Sequence, residues 1–258
     1  MSLLSMLLNK LRTIIHSDDF FQRNRTSETA FTRNSLLGFA PTVVYILWCA
    51  RTSLPSTLRS FFNDKLNVKL TCTRQAFSKR RKLIKHEAFA ELFEASATLL
   101  AKHLWKEDDE FPVFAIDGSR LSLPTHPELA EAFGIQKGTG DQIQALISTL
   151  HDVSNKVTFD LQIRPHNGNE REMALCHIRK IKELIGDKPF LLVYDRGYPS
   201  GKLLETMSNN SYFYLMRCPT EFVRALDKHV SDSWVTHKFH SLKKPITFRM
   251  VRVTLPNG

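Results

Sequence analysis

The sequence predicts an α/β protein, a mixed sheet flanked by helices and preceded by an all-helical N-terminal region. Three observations predict it. Apolar residues recur at helical spacing up to about residue 105. The acidic run Lys106-Glu107-Asp108-Asp109-Glu110 then interrupts the pattern, as a solvated linker would. Beyond it, short apolar runs alternate with helical segments, the order of a sheet covered by helices.

Composition sets the outer limits. With 42% hydrophobic and 24% charged residues, and only 10 Gly and 11 Pro in 258, the chain has the makings of a core and is not a disordered segment. The net charge of +10 is unevenly placed: residues 1–85 carry 15 Lys/Arg against 4 Asp/Glu, and residues 86–110 carry 2 against 7. A basic first third suggests a region that binds a polyanion. The four cysteines, Cys49, Cys72, Cys176 and Cys218, form no Cys-x-x-Cys pair, which argues against a zinc knuckle or a secreted disulfide scaffold and for a reducing cytoplasm. The first 16 residues read as an amphipathic helix rather than a signal peptide. The longest apolar run, 36–50, is 15 residues and contains Pro41, short of the roughly 20 that a membrane span needs.

Helices are expected at about 3–16, 35–51, 55–62, 73–85 and 87–105; in the last, Phe89, Leu92, Phe93, Leu99, Leu100 and Leu104 keep a half-buried rhythm. Strands follow at 112–116, ending in an Asp117-Gly118 turn, at 144–150 and at 156–163, where Val157, Phe159, Leu161 and Ile163 alternate. The segment 151–155 reads as their hairpin connection. Asn169, with Glu172 three residues on, caps a helix whose Ala174, Ile178, Ile181 and Ile185 share a face, and Gly186 ends it. A strand at 190–194 ends at Asp195; a helix at 200–207 and a strand at 212–216 follow. Three strands, then helix, strand, helix, strand is the order of the ribonuclease H-like fold.

Two aspartates stand out, each after an apolar strand: Asp117 before Gly118-Ser119, and Asp195 before Arg196-Gly197. Carboxylates on neighbouring strand ends can hold Mg²⁺, a cation that prefers hard oxygen ligands and leaves positions open for phosphate oxygens. By itself a strand followed by Asp-Gly also fits a simple turn. Arg196 and Arg217, next to the second Asp and at the end of the following strand, could grip a phosphate in bidentate fashion or form salt bridges. Ser119 and Arg120 read as turn residues ahead of DNA contacts, His151 and Asp152 as structural, and Glu170 and Glu172 as helix-capping acids ahead of metal ligands. The segment 74–85 has six Lys/Arg and no acid. As a helix it buries Phe77 and Ile84 and exposes Lys79, Arg80 and Lys82, a surface for DNA phosphates or for solvent.

Phe114-Ala115-Ile116-Asp117-Gly118-Ser119, the helix opening Asn169-Glu170-Arg171-Glu172, Tyr194-Asp195-Arg196-Gly197-Tyr198-Pro199-Ser200 and Tyr212-Phe213-Tyr214-Leu215-Met216-Arg217 together resemble the DDE transposases of the insertion-sequence-four type. The resemblance spans about residues 30–258, and the Asp-Arg-Gly-Tyr block is its most specific part. It implies a ribonuclease H-like catalytic domain over 111–258, with a β-rich insertion starting near 218, behind a helical DNA-binding region over 1–105. Three carboxylates would bind Mg²⁺ or Mn²⁺, for hydrolysis at transposon ends and then strand transfer. Asp117 and Asp195 match the first two. The third, a Glu on a helix beyond the insertion, has no counterpart: Glu205 and Glu221 come too early. The alternating run 248–255 followed by the turn signal Pro256-Asn257-Gly258 suggests a strand whose partner lies past the last residue, so the chain reads as truncated at its C-terminus. The expected partners are double-stranded DNA, as terminal repeats and target, and a second copy on paired ends; no membrane is involved, and the location is the bacterial cytoplasm at the nucleoid. The alternative is a catalytically incomplete DNA-binding remnant of such a transposase.

Overall fold

The computed structural model describes residues 2–33, 35–48, 54–67, 72–105, 112–138, 140–219, 222–223 and 231–253. The acidic run 106–110, Cys49, Glu221 and the turn signal 256–258 lie outside them. The chain forms two compact units, Met1–Leu100 and Ala101–Gly258.

The first unit is helical: α1 (Leu3–Ile15), α2 (Asp18–Asn24), α3 (Phe39–Trp48), α4 (Leu54–Ser60), a π-helical turn (Phe61–Lys65), α5 (Arg74–Arg81) and most of α6 (Glu87–Leu104). The sequence reading lacked α2. Its seven residues are too short for a periodic signal; Ser17 starts it by accepting a hydrogen bond from Phe20 N, and Asp18 and Asp19 sit in the first turn. Pro41 falls in the first turn of α3, where its missing N–H costs nothing. α5 opens on Thr73, whose hydroxyl accepts from Ala76 N at 3.1 Å. The unit is held by two apolar clusters, one around Phe20, Phe39, Val43 and Leu92, the other around Tyr45, Leu58, Phe61, Phe62 and Phe77.

The second unit is built on one mixed sheet: β1 (Val113–Ser122), β2 (Ile135–Gln136), β3 (Gln142–Asp152), β4 (Val157–Pro165), β5 (Leu191–Tyr194) and β6 (Phe213–Met216). Across it the strands run β4-β3-β1-β5-β6. β3 is antiparallel to β4 and β1, and β1, β5 and β6 are mutually parallel. A long antiparallel hairpin joined to parallel crossovers is the ribonuclease H-like order. α7 (Pro127–Phe133) and β2 fill the β1–β3 connection, where no element was expected. α8 (Glu170–Ile185) leads from β4 to β5, and α9 (Gly201–Asn209) makes the crossover from β5 to β6. α8 buries Met173, Ala174, His177, Ile178 and Ile181.

One expectation is corrected here. No turn follows Asp117: β1 runs on through Gly118, Ser119 and Arg120 to Ser122, because β3 supplies an antiparallel partner along the whole length, from Phe114↔Asp152 to Ser122↔Gln144. Polar residues beyond the apolar run look like a turn in sequence, but they are a strand that outruns its parallel neighbour. The strand near 248 is β8 (Ile246–Val251), and it pairs antiparallel with the upstream β7 (Asp232–His237). Alternation specifies which face of a strand is buried and says nothing of which neighbour it pairs with.

Behind the sheet lies a buried polar chain. His177, with no exposure, hydrogen-bonds Asp160 Oδ2 through Nδ1 at 2.7 Å and Ser148 Oγ through Nε2 at 3.0 Å, linking α8, β4 and β3. Burial raises the Asp160 carboxyl, but the His177 hydrogen bond and charge, with hydrogen bonds from Gln162 and Leu161 N, hold it below its ordinary 3.8. A depressed carboxyl contributes stability that is complete above its unfolded value and is lost as pH falls through the folded one. Asp160→Asn should therefore cost roughly 1–3 kcal/mol at neutral pH. In denaturant melts at stepped pH, its gap from the parent should close only below about 3.8.

Candidate active site

The parallel register brings the two aspartates side by side. Ile116 pairs with Tyr194 as the last matched residues of β1 and β5, so Asp117 and Asp195 are the next residue on each of two strands about 4.8 Å apart. Met216 pairs with Tyr194 from the other side, and Arg217 N donates to Tyr194 O at 3.1 Å, so Arg217 follows in the same row. All three residues are exposed, as is Arg196. Open α/β sheets bind ligands beyond the carboxyl ends of parallel strands, and here β5 and β6 end while β1 runs on past them.

Each carboxylate is held by a single backbone bond: Gly118 N donates to Asp117 Oδ1 at 2.9 Å, and Gly197 N to Asp195 Oδ1 at 2.8 Å. Neither is ion-paired among the described residues. Fixed, exposed and unneutralised carboxylates are a hard-oxygen donor set, and that chemistry fits a divalent cation. Among the described residues no three His, Cys, Asp or Glu side chains are grouped closely enough to hold a metal by themselves. The two aspartates would therefore leave most of the coordination sphere to water and substrate oxygens.

The loop after β5 is clamped from α8. Asn169 caps that helix through Arg171 N at 3.0 Å, and Arg171 turns its guanidinium onto the loop: Nε donates to Tyr198 O at 3.2 Å and Nη2 to Gly197 O at 3.0 Å. Sequence reasoning passed over Arg171, although a signal was there. A cation in the first turn of a helix opposes the macrodipole, and it stays there only for a contact that outweighs the cost.

Glu170, taken from sequence as a capping acid, lies over Gly118: a Cβ there would meet Glu170 Cδ and Oε1 at 2.8 Å. Tyr198 is 1% exposed, and its hydroxyl has no hydrogen-bond partner of ordinary geometry. Burial raises its phenol most, and the charges of Glu170, Asp117 and Asp195 raise it further, while the nearby Ser148 hydroxyl opposes them. The charges of all three acids thus act on one buried phenol.

The other expected residues lie elsewhere. His151 Nδ1 meets Thr158 Oγ1 at 3.3 Å; Asp152, fully buried, accepts from Trp105 Nε1 at 2.9 Å and from Asn155. Arg120 donates to His166 O at 3.0 Å. In the first unit, Lys79 and Lys82 are exposed and share a hollow of about 380 Å³ with Arg74, Gln75 and Ser78, while Arg80 is half-buried with its guanidinium 5.5 Å from the Phe31 ring.

The family model described as "Transposase DDE domain" matches residues 109–248, more than half of the 258. No curated protein matches. Among solved structures the chain is similar to the piggyBac transposase in a synaptic complex with hairpin DNA, determined by cryo-electron microscopy, at 8% identity and a TM-score of 0.46. The alignment covers 94% of this chain and 60% of that one.

Proposed function

Since this chain belongs to the transposase DDE domain family, we propose that it acts in DNA transposition, as the part of a transposase that binds transposon ends and cleaves them with a divalent cation. The observation that carries the reading is the adjacency of Asp117 and Asp195 beyond the last matched pair of two parallel strands. Within the family, the Asp-Arg-Gly-Tyr block favours the insertion-sequence-four type. In this reading Asp117 and Asp195 hold Mg²⁺ or Mn²⁺, which when bound supplies Lewis-acid stabilisation of a phosphodiester under attack.

The remaining roles belong to the chain. Arg217, in the same row, and Arg196, on the loop after Asp195, face solvent where a DNA phosphate would lie, and a guanidinium suits its paired oxygens. Arg171 keeps the Asp195 loop in position through the Gly197 and Tyr198 carbonyls. On the first unit, Lys79 and Lys82 contact the DNA backbone. Arg80 supports that surface from its place over Phe31. The partners are terminal-repeat and target DNA, with a second copy of the chain on paired ends, in the bacterial nucleoid. Among the described residues no helix is long and apolar enough to cross a membrane.

The test is cleavage of plasmid DNA carrying the element's own ends, by the chain in Mg²⁺, Mn²⁺, Ca²⁺ or EDTA. Nicking in Mg²⁺ and Mn²⁺ alone is expected. DNA binding that weakens steeply with salt, with no nicking in any cation, would instead identify the DNA-binding remnant.

A further inference from the structure

We propose that Glu170 is a third acidic group of this centre, one that accepts hydrogen bonds from the water shell of a divalent cation rather than binding the cation directly, with the Tyr198 hydroxyl in the same wall. The inference rests on the reading of Asp117 and Asp195 as the cation's ligands.

Position is the first argument. Gly118 is bonded through its N–H to the Asp117 carboxylate, and the Glu170 carboxylate covers the Gly118 α-carbon so closely that a methyl group there would stand 2.8 Å from its Cδ and Oε1. The carboxylate of α8 is thereby one residue from the carboxylate of β1. A first-turn acid that only served its helix dipole would lie against the free N–H groups of α8. Asn169 takes the one at Arg171, and Glu170 reaches away to the sheet.

Charge is the second argument. Glu170 is half-buried beside Asp117, and among the described residues no Lys, Arg or His pairs with it. Its neighbour Arg171 is committed to two loop carbonyls. Like charges crowded in a partly desolvated place are unfavourable unless a cation joins them. Among the described residues no three acidic groups meet closely enough for direct ligation, so in this proposal Glu170 reaches the cation through water, which suits Mg²⁺, an ion that sheds its hydration reluctantly.

The third argument is the orphaned phenol. A buried hydroxyl without a partner is rare in a folded protein, and its absent partner is commonly an ordered water. Tyr198 Oη meets no partner at full hydrogen-bond geometry, has the Ser148 hydroxyl nearby, and feels the charges of the same three carboxylates. A hydrated cation held at Asp117 and Asp195 offers water to both Glu170 and Tyr198.

The experiment is titration of the 258-residue chain with Mn²⁺, with free Mn²⁺ read by electron paramagnetic resonance. The variants are Glu170→Gln, Glu170→Asp, Tyr198→Phe and the double variant Asp117→Ala/Asp195→Ala; thermal unfolding is recorded for each. Glu170→Gln keeps the shape over Gly118 and should weaken Mn²⁺ binding roughly ten-fold, as loss of an outer-shell partner does, with an unchanged melting temperature. Glu170→Asp should recover part of that loss, and Tyr198→Phe should weaken binding by a smaller factor. Parent-like affinity in Glu170→Gln, with binding lost in the double variant, overturns the role of Glu170 and leaves the two-aspartate reading standing. Parent-like affinity in the double variant, or no saturable binding by the parent, overturns that reading and this inference with it.

Discussion

Alanine at either Asp117 or Asp195 is expected to abolish cation-dependent DNA cleavage, lowering its rate on the order of a thousandfold or more. The size follows from what a cation contributes at a phosphoryl centre, several kcal/mol of charge stabilisation, with each 1.36 kcal/mol worth a factor of about ten. Because each aspartate would supply about half of the protein's direct ligation, losing one should remove most of that stabilisation. Both side chains are exposed and each makes one backbone hydrogen bond, so the variants should fold as the parent does, to within about 0.5 kcal/mol. Cleavage rates measured beside melting curves separate the two quantities. If both variants cut at the parent's rate with unchanged melting, the centre lies elsewhere.

Phe114→Ala should be the most damaging change to the second unit, at about 3–5 kcal/mol. Phe114 has no exposure, and its ring meets Trp105, Phe159 and Phe190 at centroid distances of 5.2, 6.3 and 6.3 Å. It sits on β1 three residues before Asp117, between β3 and β5, so the cavity would open beneath the strand that carries the candidate ligand. The surroundings have little freedom to collapse into it. Trp105 is tied by its indole N–H to Asp152 and by its carbonyl to Lys188 Nζ at 2.7 Å. Phe213→Ala, on the 58% exposed Phe213 of β6, is the control and should change stability by no more than about 0.5 kcal/mol. Urea denaturation followed by far-ultraviolet circular dichroism would give both values, and equal losses would show that the three-ring contact is not what holds the sheet.

Several features were legible in the residues themselves. Strong periodicity placed α1, α6 and α8, and the apolar and alternating runs placed the first half of β1, most of β3 and β4, and all of β5 and β6, because a buried face imposes its period wherever an element is long enough. Caps were readable as well: Asn169 and Gly186 bound α8 where the sequence put them. The mixed sheet with a helical region before it follows from that order. Asp117 and Asp195 could be singled out because each follows a run of buried-strand residues.

Partnership was decided only by the tertiary structure. Whether the chain turned or continued at Gly118 depended on β3, some 30 residues downstream, and the partner of β8 could not be read from its alternation. The place of Glu170 over Gly118 and the clamp of Arg171 on Gly197 and Tyr198 join α8 to two other segments across the sheet's end. Local sequence carries the periodicity of a buried face and the chemistry of a cap, which act over a few neighbouring residues. Contacts between distant segments form only when the sheet assembles, so the company each carboxylate keeps is a property of the packed fold.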